Sequence, residues 1–302
     1  MVDADLTELL ATGERAAFHG RPSAGLAPLQ HAVELAHAQG HDAEATAAAW
    51  LLGVCLGAAG HYGSAMVVLE PLADSAPPEP ERRLFSSLAA ATLASVFRQL
   101  GRHADGRRFD ERALELAQDA PEARFDAYLG LAADAVGLGD AEVAEDALGK
   151  AAALAQDRGE WWRQRVRLDW VRAEIALVRG QPGDAVIRAG AAISLAETSG
   201  APRHVAKGLL FSGVALVEAG ELDEAAVTLR RAATLAESLG AVPLVWPARA
   251  VLGALVADTH PEESAAALTS ARAAVHHIAD DLPDPLAHDW LSRPDIAALL
   301  TN

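Results

Sequence analysis

Apolar positions along this chain recur at i, i+3, i+4 and i+7, the spacing of a buried helix face, and no segment sustains the alternation of a strand. Between Gly220 and Gly240, for example, Leu222, Ala225, Ala226, Leu229, Ala232, Ala233 and Leu235 keep that rule. The runs are punctuated at regular intervals. One glycine series falls at Gly20, Gly60, Gly101, Gly139, Gly180 and Gly220, with gaps of 40, 41, 38, 41 and 40 residues, and the next step of 40 reaches His260 beside Pro261. A second series of breaks, Gly40, Pro80, Pro121, Gly159, Gly200, Gly240 and Asp280, lies about 20 residues after the first. Glycine ends helices in the left-handed conformation and proline cannot continue one. The pattern predicts fourteen helices of roughly 14–16 residues, about 21–24 Å long at the helical rise. Paired through short turns, they form about seven antiparallel hairpins whose two helices are equal in length.

The units fall near 1–40, 41–80, 81–121, 122–159, 160–200, 201–240 and 241–281, with a C-terminal cap over 282–302. All belong to a single array without a dividing linker. The longest loop-like run, Pro71–Pro80, reads as an extended turn that ends the second helix of unit two early. Within the units, positions repeat. Eight residues before the mid-hairpin glycine stand Leu52-Gly53, Leu93-Ala94, Leu131-Ala132 and Leu252-Gly253. Five after it stand Ala65, Ala144, Ala185 and Ala225, and twelve after it Ala113, Ala151, Ala192 and Ala232. This arrangement resembles the tetratricopeptide repeat (TPR). Departures are Gly106 in place of the first small alanine of unit three, Arg172 and Ser212 at apolar positions of units five and six, and a period near 40 rather than 34.

The longer period is similar to the arrays of bacterial signal-transduction ATPases and maltose-activator-type regulators, of kinesin light chains and of peptide-sensing regulators. The resemblance implies an all-α, right-handed TPR-like α-solenoid with a C-terminal capping helix. It also implies a binding groove on the concave face, lined by the first helix of each hairpin.

Composition narrows the functions open to such a fold. Aromatic residues make up 5% of the chain, so its core rests mainly on Ala, Leu and Val. A formal net charge of −17, from 42 acidic and 25 basic residues, repels nucleic acid phosphates and anionic membranes, and neither is an expected partner. Cys55 is the single cysteine, which excludes an internal disulfide and fits a reducing compartment. With no targeting pattern and no long apolar run, the expected location is cytoplasmic.

No catalytic or metal-binding constellation stands out. The chain contains no HExxH, CxxC, GxSxG or GxxxxGK[ST] pattern. His37 and His41 are separated by the helix-breaking Gly40, and His276 and His277 point about 100° apart on a helix. No metal, no cofactor and no enzymatic activity are therefore expected. Asp140, Asp184 and Asp223 recur at the start of second helices, where they suit caps and the helix dipole.

The resemblance places Trp50, Val54, Ser95, Arg98, Gln99, Asp126, Ala133, Arg163, Arg167, Trp170, Glu174, Lys207 and Val214 on the inward face. Residues 161–188 add six arginines against three acidic residues. Trp50 and Trp170 share one repeat position, and each reads either as core or as an aromatic face of the groove. The functional expectation is a non-catalytic scaffold that binds a protein or peptide through the groove, an acidic or carboxylate-bearing segment being the chemistry that arginine recognises. The alternative is a small-molecule or signal-peptide sensor module detached from a regulator array. Homo-oligomerisation stays open.

Overall fold

The computed structural model describes residues 4–301, all of whose long elements are helices. Seven hairpins succeed one another: α1 (Ala4–His19) with α2 (Leu26–Gln39), α3 (Asp42–Ala59) with α4 (Tyr62–Asp74), and α5 (Pro80–Gln99) with α6 (His103–Ala117). They continue as α7 (Pro121–Gly137) with α8 (Ala141–Ala155), α9 (Trp162–Val178) with α10 (Pro182–Thr198), α11 (Pro202–Ala219) with α12 (Leu222–Leu239), and α13 (Val242–Leu255) with α14 (Pro261–Asp281). Two short helices, α15 (Asp284–Ser292) and α16 (Pro294–Thr301), complete the chain. A single 3-10 turn, Pro22–Gly25, fills the first hairpin's bend.

The punctuation works as its chemistry dictates. Gly40, Gly60, Gly101, Gly139, Gly180, Gly200, Gly220 and Gly240 all adopt positive φ, between 62° and 92°, the region that side chains avoid. Where proline replaces glycine, at Pro80 and Pro121, it occupies the first helical turn and the break precedes it. The equal-length expectation holds for α9 with α10 and α11 with α12, but not elsewhere. Helix α4 has 13 residues against 18 in α3, whereas α14 runs to 21 against 14 in α13. In the first case the prolines at 77, 78 and 80 stop α4. In the second, no glycine interrupts the chain between Pro261 and Leu282. Of the three expected aspartate caps, Asp140 accepts a bond from the Val143 amide at 3.1 Å, while Asp184 and Asp223 lie inside the first turn and act only through the dipole.

Contacts divide the chain into two compact units, Met1–Ala58 with Tyr62–Gln164, and Ala59–His61 with Arg165–Asn302. In both, alanine sets the helix spacing. Ala65, Ala113, Ala144, Ala151, Ala185, Ala192 and Ala225 are completely buried and Ala232 is nearly so. Larger side chains there would force the helices apart. Glycines sharpen the same packing. A Cβ on Gly213 of α11 would stand 2.6 Å from Leu229 of α12, so the glycine is the socket for that leucine.

The first unit locks the proline-rich loop of residues 75–79 with two arginines. Arg83 donates to the carbonyls of Pro77 and Pro78 at 2.9 and 2.6 Å, and Arg112 to those of Ala73 and Ser75 at 3.2 and 3.3 Å. In the second unit, the cap is built on Trp290, which is 1% exposed. Its indole donates to the Val275 carbonyl of α14 at 3.2 Å and meets Trp246 of α13 edge-on. Arg293 lies over both rings. A repeat stack must shield its last apolar face in this way.

Candidate functional site

First helices of successive hairpins meet through one recurring device. Trp50 of α3 stands ten residues before Gly60, and Trp170 of α9 ten before Gly180. In the first unit the Trp50 ring packs against Phe85 of α5, centroids 5.7 Å apart, and its indole donates to Thr92 at 3.1 Å. In the second unit Trp170 stacks on His204 of α11 at 5.3 Å and contacts Phe211 at 6.4 Å. Phe85 and His204 both lie 16 residues before the next mid-hairpin glycine, and Thr92 and Phe211 both lie nine before it. The two tryptophans are therefore equivalent keystones, 9% and 7% exposed, packed into the following first helix. The core reading of these residues matches this placement, and the open aromatic face does not.

Arg98 also departs from the groove reading. It sits between α5, α6 and α7, where its guanidinium Nη1 bonds Asp110, Asp134 (3.1 Å) and the Gly130 carbonyl (3.4 Å). Both aspartates are completely or almost completely buried. This arrangement explains the departure at Gly106: a Cβ there would lie 2.7 Å from Asp134 Oδ1, so alanine does not fit. Burial raises the Asp110 pKa well above the carboxylate range, and the Asp134 charge and hydrogen bond push the same way. Arg98 opposes them without prevailing, because a single guanidinium can balance only one of two carboxylates.

The remaining positions spread over both units. In the first unit, Val54 and Ser95 are half-buried, and Gln99 is exposed and accepts a bond from the Tyr62 hydroxyl at 2.9 Å. Asp126 of α7 is 6% exposed and pairs with Arg163 from the start of α9 at 3.5 Å. Arg163 also lies 5.0 Å above the ring of Phe18, at the end of α1, and Phe18 in turn neighbours Trp50 at 6.4 Å. Next to it, His19 packs on Trp162 at 5.3 Å. In the second unit Arg167, Glu174 and Val214 are half-buried, and Lys207 lies over Trp170 at 4.7 Å and Phe211 at 5.4 Å.

The structure thus gathers Asp126 and Arg163 with Phe18, His19 and Trp162, and separately Trp170 and Lys207 with His204 and Phe211. Phe18 and His19 escaped the sequence reading because they precede Gly20 by two residues and one, outside the repeat register used to carry positions across. His204 and Phe211 were accessible to it, since they repeat the spacing of Phe85 and Thr92. Among the described residues no helix is long and apolar enough to cross a membrane.

These hairpins define a TPR-like helical-repeat fold of the α-solenoid class. No protein-family model and no curated protein sequence matches the chain. Among solved structures it is similar to a Rap protein complexed with competence and sporulation factor, with a TM-score of 0.68, 12% identity, and coverage of 98% of this chain and 84% of that one. NprR in complex with its cognate peptide NprX gives a TM-score of 0.58 at 14% identity over 100% of this chain and 89% of that one. Aspartyl phosphate phosphatase F from Bacillus subtilis gives 0.52 at 13% identity over 100% and 83%. At these identities the likeness shows the fold.

Proposed function

We propose that the chain is a non-catalytic scaffold that binds a protein or peptide through the face carried by its first helices, and that the recognised segment bears a carboxylate. One observation carries this reading. Arg163 is held over Phe18 and only loosely by Asp126, at 3.5 Å. A ligand carboxylate can form a shorter, two-pronged bond to the same guanidinium, at about 2.7–2.9 Å, while its apolar neighbour rests on the aromatic ring. Two of the similar structures are complexes, one with competence and sporulation factor and one with a cognate peptide, which supports a peptide as ligand. It equally supports the variant in which the chain is a signal-peptide sensor related to regulator arrays. The phosphatase activity in the name of aspartyl phosphate phosphatase F belongs to that protein.

The test is a thermal-shift screen of short acidic peptides with free or amidated C-termini, beside basic controls. Binding to the folded state alone stabilises it by about 2.7 kcal/mol at a hundredfold excess over Kd. Acidic peptides should raise the melting temperature of the wild type and not of Arg163→Ala. Equal shifts with basic peptides, or unchanged binding by Arg163→Ala, would refute the assignment. Substituting Arg98 reads stability instead, since that side chain is consumed inside the protein.

A further inference from the structure

The junction of α5, α6 and α7 holds more acid than its single arginine can neutralise. Asp110 and Asp134 share Nη1 of Arg98, and the second oxygen of each, Oδ1, is buried with no hydrogen-bond partner among the described residues. His103 of α6 places Nδ1 3.9 Å from Asp134 Oδ1, and that nitrogen is likewise buried and unsatisfied. Space for these groups is made by glycine. Any Cβ on Gly130 would collide with the Asp110 carboxylate, and one on Gly137 with the His103 ring. The other helices packed here bring no competing charge inward. Helix α4 buries Tyr62, Ala65, Met66, Leu69 and Ala73, with the Tyr62 hydroxyl donated to Gln99, and α8 buries Ala144, Ala147, Leu148, Ala151 and Ala155. The groups facing the aspartate pair are therefore Arg98 and His103.

Two ionised carboxylates on one guanidinium leave a net negative charge on groups that are themselves buried, which is strongly disfavoured. A proton on Asp110 removes it, and lets that carboxyl donate to Asp134 while its carbonyl oxygen still accepts from Arg98. We propose that Asp110 is protonated in the folded protein and that this proton latches α5, α6 and α7 together, making the first unit's junction a pH-responsive element. Like-charged carboxylates at one site cannot both ionise without cost, which supplies the driving force for opening. The unfolded chain gives up this proton in the ordinary carboxylate range, and the folded chain holds it to higher pH. Stability from the latch is thus complete below the ordinary range and is lost as pH rises through the raised value.

Two measurements on the full chain decide the matter. A carbon-detected NMR titration of the aspartate carboxyls should show Asp110 still protonated where exposed aspartates have ionised. Denaturant unfolding across pH should show the wild type losing up to about tenfold in its folding constant per pH unit over that window, the slope for one proton. Asp110→Asn, whose amide copies the protonated carboxyl, should lack that slope and overtake the wild type as pH rises. An Asp110 that titrates with the exposed aspartates overturns the proposal, as does a constant difference between the two proteins at every pH. If Asp110→Asn fails to fold, the wild-type titration decides alone.

Discussion

A methyl group on Gly106 would lie 2.7 Å from Oδ1 of Asp134, a carboxylate whose other oxygen is fixed by Arg98 at 3.1 Å. Where other units carry alanine at this step, unit three gives up the side chain to make room for a buried charge one hairpin away. The consequence is measurable.

Gly106→Ala should destabilise the protein by about 1–3 kcal/mol, the cost of overpacking a site that cannot relax. The Ala94 carbonyl closes the other side of the position at 3.2 Å, so the methyl has no way out. Gly149→Ala in α8 and Gly190→Ala in α10 are the contrast, since a Cβ at either meets nothing within 4 Å. Each should gain about 0.5–1 kcal/mol from the better helix propensity of alanine. Chemical denaturation of the three variants checks both signs.

The two keystone tryptophans should respond differently to loss of their indole nitrogen. Trp50→Phe removes the bond to Thr92, a loss of about 0.5–1.5 kcal/mol beyond the change in ring area. Trp170 Nε1 is buried without a hydrogen-bond partner among the described residues, so Trp170→Phe forfeits no such bond. Trp50→Phe is therefore the costlier substitution, and alanine at either position should cost about 3–5 kcal/mol. Unfolding monitored by circular dichroism ranks them.

Acid should weaken the α12–α13–α14 junction. Arg249 holds Glu237 by two bonds, at 2.8 and 2.6 Å, and Ser270 adds a third at 3.0 Å, which keep the Glu237 pKa below its usual value. A depressed folded-state pKa contributes stability above the ordinary glutamate range that disappears as pH falls through the folded value. Because the pair is partly exposed, the amount is modest, about 0.2–1 kcal/mol. Glu237→Gln should remove that increment near neutrality and match the wild type in strong acid, as read from melting temperatures across pH.

Removing the cap should open the second unit from its end. Trp290→Ala deletes a fully buried ring and leaves the Val275 carbonyl without its donor, at a cost of about 3–5 kcal/mol. Hydrogen exchange should then show α13 and α14 losing protection before α10 and α11, as expected of a stack whose repeats support only their neighbours.

The sequence by itself determined the hairpins. Of the ten turn glycines found by counting, eight take the left-handed conformation, Gly20 and Gly159 being the exceptions, and the alanines counted from them are all buried, because both roles depend on one residue type at one spacing. Helix lengths were legible only where the breaks are regular; the proline run after Asp74 and the uninterrupted stretch to Asp281 shifted them. The candidate site was legible as a face but not as a set of partners. Arg98 carries the marks of a groove residue along its own helix, yet its guanidinium belongs to Asp110 on α6 and Asp134 on α7. Trp50 and Trp170 announce their equivalence by position, while their burial comes from Phe85 and His204 in the next hairpin. Turn chemistry and small-residue spacing are local and survive in a linear pattern. The pairing of charges and rings is set by distances between helices, and only the tertiary structure decides which partner each side chain reaches.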